Sequence, residues 1–328
     1  MSVTWVMRPE DVARIRFAFS PLWELVASLR TLRQPARQSL HLPWIKAVRP
    51  RLAGLDLTEL LALVPPTGYL ADFITPPPDT PLPDFAAELE RVRRAAPERV
   101  LDELAHLREG GVADPAVLDR LAADPAATVT RAADALEAYW ETCFAEFWPR
   151  VYALLERDVL RRSRQLAQGG AHELFAGLDP AVTWTGERLL VDRPWCATGG
   201  PHGDGLHGDG LLLVPSAFHW PSVAVMSAPY QSMLVYPVLG VGTLWEQGPP
   251  PAPGALAALI GRSRARILLA LAEPATTSAL AGRMALTPGA VSQHLGVLSG
   301  GGLAVGMRVG KQVVYRRTLA GDMLAGQV

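Results

Sequence analysis

The chain has 328 residues, 49% of them apolar and 19% charged, with a formal net charge of −1. That length suffices for two domains with separate cores, and that apolar share excludes an intrinsically disordered chain. Two cysteines exclude a disulfide framework, and early charges at Arg8, Glu10, Asp11, Arg14 and Arg16 speak against a secretory signal, so a cytoplasmic protein is expected.

In chain order, residues 2–7 predict an opening strand. Residues 21–32 predict a helix with Leu22, Leu25, Val26 and Leu29 on one face. Shorter helices follow, stopped by Pro50, Gly54, Pro65 and Pro66, and residues 63–83 read as an extended, solvated, proline-rich connector. From Asp84 the pattern is helical for about ninety residues. Asp84, Asp114 and Asp124 stand where helix caps belong, and Pro97 suits a first helical position. The longest helix is expected over 126–166, kinked at Pro149.

That helix carries an aromatic stripe that includes Trp140, Phe144 and Trp148. One reading makes it a buried core face. The other combines it with Trp184 and Trp220 of a following sheet as the wall of a site for a small apolar ligand. The charges beyond it, Glu156, Arg157, Asp158, Arg161, Arg162 and Arg164, predict a solvated face with local ion pairs. After Asp179-Pro180, short apolar runs alternate with turn residues and predict four or five antiparallel strands. No stretch predicts a membrane span: the most apolar region, 211–244, is broken by Pro215, Pro221, Pro229 and Pro237.

Between two of these strands lies a glycine-saturated loop with Cys196, His202, Asp204, His207 and Asp209. Imidazole and carboxylate at this spacing suit zinc, nickel or manganese. Ordering so many glycines around an ion is entropically costly, which favours a plain loop insertion, so no metal or other cofactor is expected.

Residues 247–254 read as a stiff, uncharged linker, dividing an N-terminal domain (1–246) from a C-terminal one (255–328). In the latter, Leu256, Leu259, Ile260, Ser263, Ile267 and Leu271 form a helical stripe. Two short helices follow over 276–298. The second opens on Thr287 as N-cap with Pro288 behind it, turns Val291, Leu295 and Leu298 inward, and leaves Pro288, Gly289, Ser292, Gln293 and Gly296 outward. Residues 303–308 and 313–317 predict a hairpin made basic by Arg308, Lys311, Arg316 and Arg317. From Gly254 onward eight basic residues face only Glu273 and Asp322, while the rest of the chain is net acidic. That asymmetry marks a nucleic-acid-binding module joined to another domain.

At this point the chain resembles the ArsR/SmtB-type winged-helix regulators over roughly its last quarter. The matching stretches are GRSRARILLAL (261–271), SALA (278–281), TPGAVSQHLGVL (287–298), GLA (302–304) and VVYRRT (313–318). FSPLWELVASLRTLR (19–33) and LLLVPSAFHWP (211–221) further resemble long regulators whose N-terminal domain is uncharacterised and precedes an ArsR-type end. The resemblance implies a transcriptional repressor that binds double-stranded DNA as a homodimer. The contacts expected are Thr287, Ser292, Gln293 and His294 on the reading helix, the wing residues Arg308, Lys311 and Arg316, and Arg264 upstream. Neither metal site usual in that family is matched: residues 277–285 hold no Cys, His or carboxylate, and the tail after Thr318 offers only Asp322.

The expected fold is therefore α+β, an N-terminal helical region plus an antiparallel sheet, followed by a C-terminal winged helix-turn-helix. No hydrolase, kinase or dinucleotide motif is present, so no enzyme is expected. Three roles remain open for the N-terminal domain: sensing a small apolar molecule, sensing a metal through 196–210, or serving as a dimerisation scaffold.

Overall fold

The computed structural model describes residues 2–192, 206, 210–245, 253–284, 286–309 and 312–326. The chain divides into two compact units, Met1–Trp245 and Glu246–Val328. Its mixture of helices with antiparallel and mixed sheets is α+β. Among the described residues, no helix is long and apolar enough to cross a membrane.

In the first unit, strands β1 (Ser2–Val6) and β2 (Arg16–Phe17) flank helix α1 (Pro9–Ala13), and α2 spans Pro21–Arg33. Ser20 caps α2 by accepting from Trp23 N at 2.9 Å, with Pro21 at the first helical position. Helices α3 (Leu42–Val48) and α4 (Thr58–Leu63) precede a run of four, α5 (Phe85–Arg93), α6 (Pro97–Glu109), α7 (Pro115–Ala123) and α8 (Pro125–Tyr139). The expected aspartates open three of these. Asp84, Asp114 and Asp124 accept from Ala87, Ala116 and Ala127 N at 2.7, 2.9 and 2.9 Å.

The long helix breaks earlier than the proline suggested. After α8 the backbone widens into a π-type turn over Trp140–Phe144, where Ala145 N reaches back to Trp140 O at 2.8 Å. Helix α9 then begins at Trp148 and runs Trp148–Phe175, with a non-helical Gly170 inside it. Pro149 therefore falls in a first turn, where its missing N–H costs nothing. The solvated face predicted on α9 is only partly so: Asp158 and Arg162 are buried and paired at 3.7 Å. Arg162 also donates to Gly177 O at 2.9 Å and sits 5.7 Å from the Tyr236 ring centre. Its aliphatic stem packs while its charged head is bound by a carboxylate and a carbonyl.

Strands β3 (Val182–Trp184) and β4 (Arg188–Asp192) complete an antiparallel sheet in the order β1-β4-β3. Strands β5 (Leu212–Ser216), β6 (Ala224–Met226) and β7 (Met233–Pro237) join β2 in the order β2-β5-β7-β6. The expectation of purely antiparallel strands fails here. β2 pairs with β5 in parallel, and so does β5 with β7; only β6 pairs antiparallel. Every residue of β5 and β7 is buried, because a central parallel strand is covered on both faces.

Helix α2 is tied to three neighbours by polar groups. Glu88 of α5 accepts from Leu22 N at 2.8 Å, supplementing the Ser20 cap. Ser28 and Tyr139 share a 2.8 Å hydrogen bond to α8. Glu24 accepts from Ser216 Oγ and from Ala217 N (3.0 Å) at the end of β5. Burial pushes the Glu24 carboxyl up to about 7, although its bonds from Ser216, Ala217 and Phe218 pull the other way. A carboxyl raised in the folded state contributes fully below its unfolded pKa, and that contribution is lost as pH rises through the folded value. Glu24→Gln should therefore flatten the fall in stability between about pH 5 and pH 8, by at most about 3 kcal/mol. Urea denaturation of both proteins across that range checks it; parallel profiles would contradict it.

Candidate nucleic-acid interface

In the second unit the stripe expected as one helix is two. Gly261, with φ of +86°, separates α10 (Pro253–Ile260) from α11 (Arg262–Ala270). Only a residue without Cβ adopts that conformation readily. The helix-turn-helix follows as α12 (Thr277–Met284) and α13 (Pro288–Gly300). Thr276 Oγ1 accepts from Ala279 N at 3.2 Å, and Thr287 Oγ1 accepts from Ala290 N at 3.2 Å. Between the helices, Leu286 N bonds back to Ala281 O at 3.1 Å, closing the turn.

Packing orients α13. Val291, Leu295 and Leu298 are buried against Ile267, Leu268, Leu280 and Met284. Pro288, Gly289, Ser292, Gln293 and Gly296 are exposed together on the opposite side, and His294 is half-buried beside them. The resulting outer face has no acidic group and only Ser292 and Gln293 as longer polar side chains, so a polyanion can approach closely.

Strands β8 (Ala275–Thr276), β9 (Ala304–Val309) and β10 (Gln312–Arg317) form an antiparallel sheet in the order β8-β10-β9, which is the wing. Gly306 lies opposite Tyr315, and a Cβ there would come within 2.9 Å of the tyrosine ring. Helix α14 (Leu319–Leu324) closes the unit, its Gly321 pressed on Leu303 O with no room for a side chain.

The basic residues fall into distinct settings. Arg308 and Arg316 are exposed on the wing, and Arg262, Arg266 and Arg283 are exposed on α11 and α12. Arg264 is half-buried, its guanidinium folded over the backbone at Gly261. Arg317, read as part of the basic edge, is buried instead and pairs with Asp322 at 2.8 Å, tying β10 to α14. Strand alternation explains this, since Arg317 lies opposite the buried Ala304. Lys311 lies outside the described residues.

The aromatic candidates of the first unit do not form one wall. Trp140 stacks on Phe85 (4.2 Å) and neighbours both Trp148 (5.9 Å) and Phe144 (5.5 Å), and Phe144 is wholly buried against Trp44 and Phe218. Trp184 packs on Phe175 instead. Trp220 lines a cleft of about 430 Å³ between α2, the loop at Pro66–Leu70 and the segment leading into β6. No signal in the sequence joined these parts, because the cleft residues come from three distant stretches. Among the described residues no cluster of three or more metal-ligating side chains occurs. Cys196, His202, Asp204, His207 and Asp209 lie outside the described residues.

A capped reading helix, a three-stranded wing and a basic, acid-poor surface define the class: a winged helix-turn-helix DNA-binding regulator. Comparison with family models agrees, for residues 259–306 match a helix-turn-helix domain. Residues 95–242 match a family of unknown function. No curated protein and no solved structure shows significant similarity to the chain. The chain thus joins a DNA-binding helix-turn-helix to an N-terminal domain whose matching family carries no assigned role.

Removing the Thr287 hydroxyl should loosen the start of the reading helix. Thr287→Ala is expected to cost about 1 kcal/mol and to speed amide exchange at Ala290 and Val291 first. Unchanged exchange at these two amides would contradict the capping role.

Proposed function

We propose that this chain is an ArsR-like transcriptional repressor that acts in the cytoplasm as a homodimer on double-stranded DNA. Ser292 and Gln293 enter the major groove and read base edges. Thr287 and His294 contact the adjoining backbone, and Arg308, Lys311, Arg316 and Arg264 supply phosphate contacts. Two reading helices related by a two-fold axis would engage two half-sites one helical turn apart. A small apolar molecule held by the N-terminal unit controls the affinity.

What supports the reading is the division of α13 into a buried apolar stripe and an exposed, small, uncharged face (Pro288, Gly289, Ser292, Gln293 and Gly296). A helix packed in an ordinary core has no use for such a face. The wing arginines beside it supply the salt-dependent part of the affinity.

A duplex selected from a randomised pool provides the specific site. Gln293→Ala should lose about 1–3 kcal/mol on that duplex and almost nothing on a random one. Arg308→Ala and Lys311→Ala should weaken both duplexes alike and lower the salt slope by about 1 each. Equal losses on both duplexes for Gln293→Ala would overturn its assigned role.

A further inference from the structure

The cleft beside Trp220 has the size and lining of a small-molecule site. About 430 Å³ lies within the range of ligand pockets, and Trp23, Tyr69, Phe218 and Trp220 give it aromatic walls. Two polar atoms on its lining residues are buried with no hydrogen-bond partner, the indole Nε1 of Trp23 and the amide Oε1 of Gln38. Trp23 is itself 5% exposed. Leaving such groups unsatisfied is costly, and polar groups of this kind are ordinarily met by a partner.

The charged groups at the cleft neutralise one another's appeal. Arg30 is committed to two carbonyls, donating to Pro65 O at 2.9 Å and to Gly68 O at 2.6 Å. Asp72 accepts from Tyr69 Oη at 3.1 Å. Burial, with the neighbouring Glu103 adding to it, pushes the Asp72 carboxyl up to about 8, so near neutrality it is mostly uncharged. A cation would meet Arg30 and find no fully charged carboxylate at Asp72, while the guanidinium that an anion would need is already bonded to two carbonyls.

We propose that this cleft binds an uncharged aromatic molecule that both accepts a hydrogen bond, from Trp23 Nε1, and donates one, to Gln38 Oε1. Apolar stacking supplies the affinity and the two polar atoms set the orientation. Three side chains carry most of the recognition. Trp23 and Gln38 provide the polar complement, while Ala224, on the edge strand β6, leaves the space that a ring system occupies. The proposal rests on the reading that the N-terminal unit senses a small apolar molecule. It adds where that molecule sits and what chemistry it carries.

The test uses the full chain and three probes of one shape: 2-naphthol, naphthalene and the anion 2-naphthoate, titrated by fluorescence and equilibrium dialysis near pH 7. 2-Naphthol should bind about ten-fold more tightly than naphthalene, with 2-naphthoate weakest of the three. Trp23→Phe and Gln38→Leu should each remove most of the 2-naphthol advantage and leave naphthalene unaffected. Ala224→Trp should abolish binding of both neutral probes while circular dichroism stays native. Equal binding of all three probes, or undiminished binding in Ala224→Trp, overturns the cleft assignment. Duplex affinity is measured in the same samples. Cleft-dependent binding that leaves duplex affinity unchanged supports the site and overturns control of DNA binding by it.

Discussion

The second unit depends on the way α13 is anchored. Thr287 and Pro288 fix where the helix begins, and Val291, Leu295 and Leu298 fix which way it faces. These two constraints leave no rotational freedom: turning the helix by one residue, about 100°, would expose the apolar stripe. Ser292 and Gln293 are outward as a consequence of packing, and their own contacts play no part in holding them there. Recognition and folding thus use opposite faces of one helix. The wing is held in a similar way. Gly306 lets Tyr315 lie flat across the sheet, and the Arg317–Asp322 pair ties the returning strand to α14.

The first unit is organised around α2 instead. Nearly every side of this helix is covered, so its polar side chains serve as internal connections: Glu24 to the end of β5, Ser28 to α8, and its N-terminal amides to Ser20 and Glu88. Glu24, Ser28 and Glu88 find partners distant in sequence, and each would be costly alone in the core. The same helix supplies Trp23, Ala27 and Arg30 to the cleft floor. A ligand seated there would touch the element through which the sheet, α5 and α8 are joined.

Much of the winged helix was legible because its signals are local. A threonine cap, a proline one residue on and an apolar residue every three or four positions need no tertiary information. Gly261 was the exception, since its positive φ splits a stripe that periodicity alone joins. In the first unit, aspartate caps were equally readable, but sheet direction was not. Leu212–Ser216 and Met233–Pro237 are continuous apolar runs and not alternating ones, which is the mark of strands buried on both faces. The burial of Asp158 and Arg162 was hidden for another reason. A charged run resembles a solvated face until a partner such as Tyr236 is brought over it from far along the chain. Of the five tryptophan and phenylalanine candidates, Trp140, Phe144 and Trp148 pack together, but Trp184 packs on Phe175 and Trp220 lines the cleft, because aromatic content says how much surface a segment buries, and not against what.

The most direct measurement is hydrogen–deuterium exchange of the full chain with and without a duplex, at low and at moderate salt. The account predicts protection concentrated on the start of α13 and on the wing strands, diminishing as salt rises. Protection confined to residues 2–245, or none at any salt concentration, would contradict it.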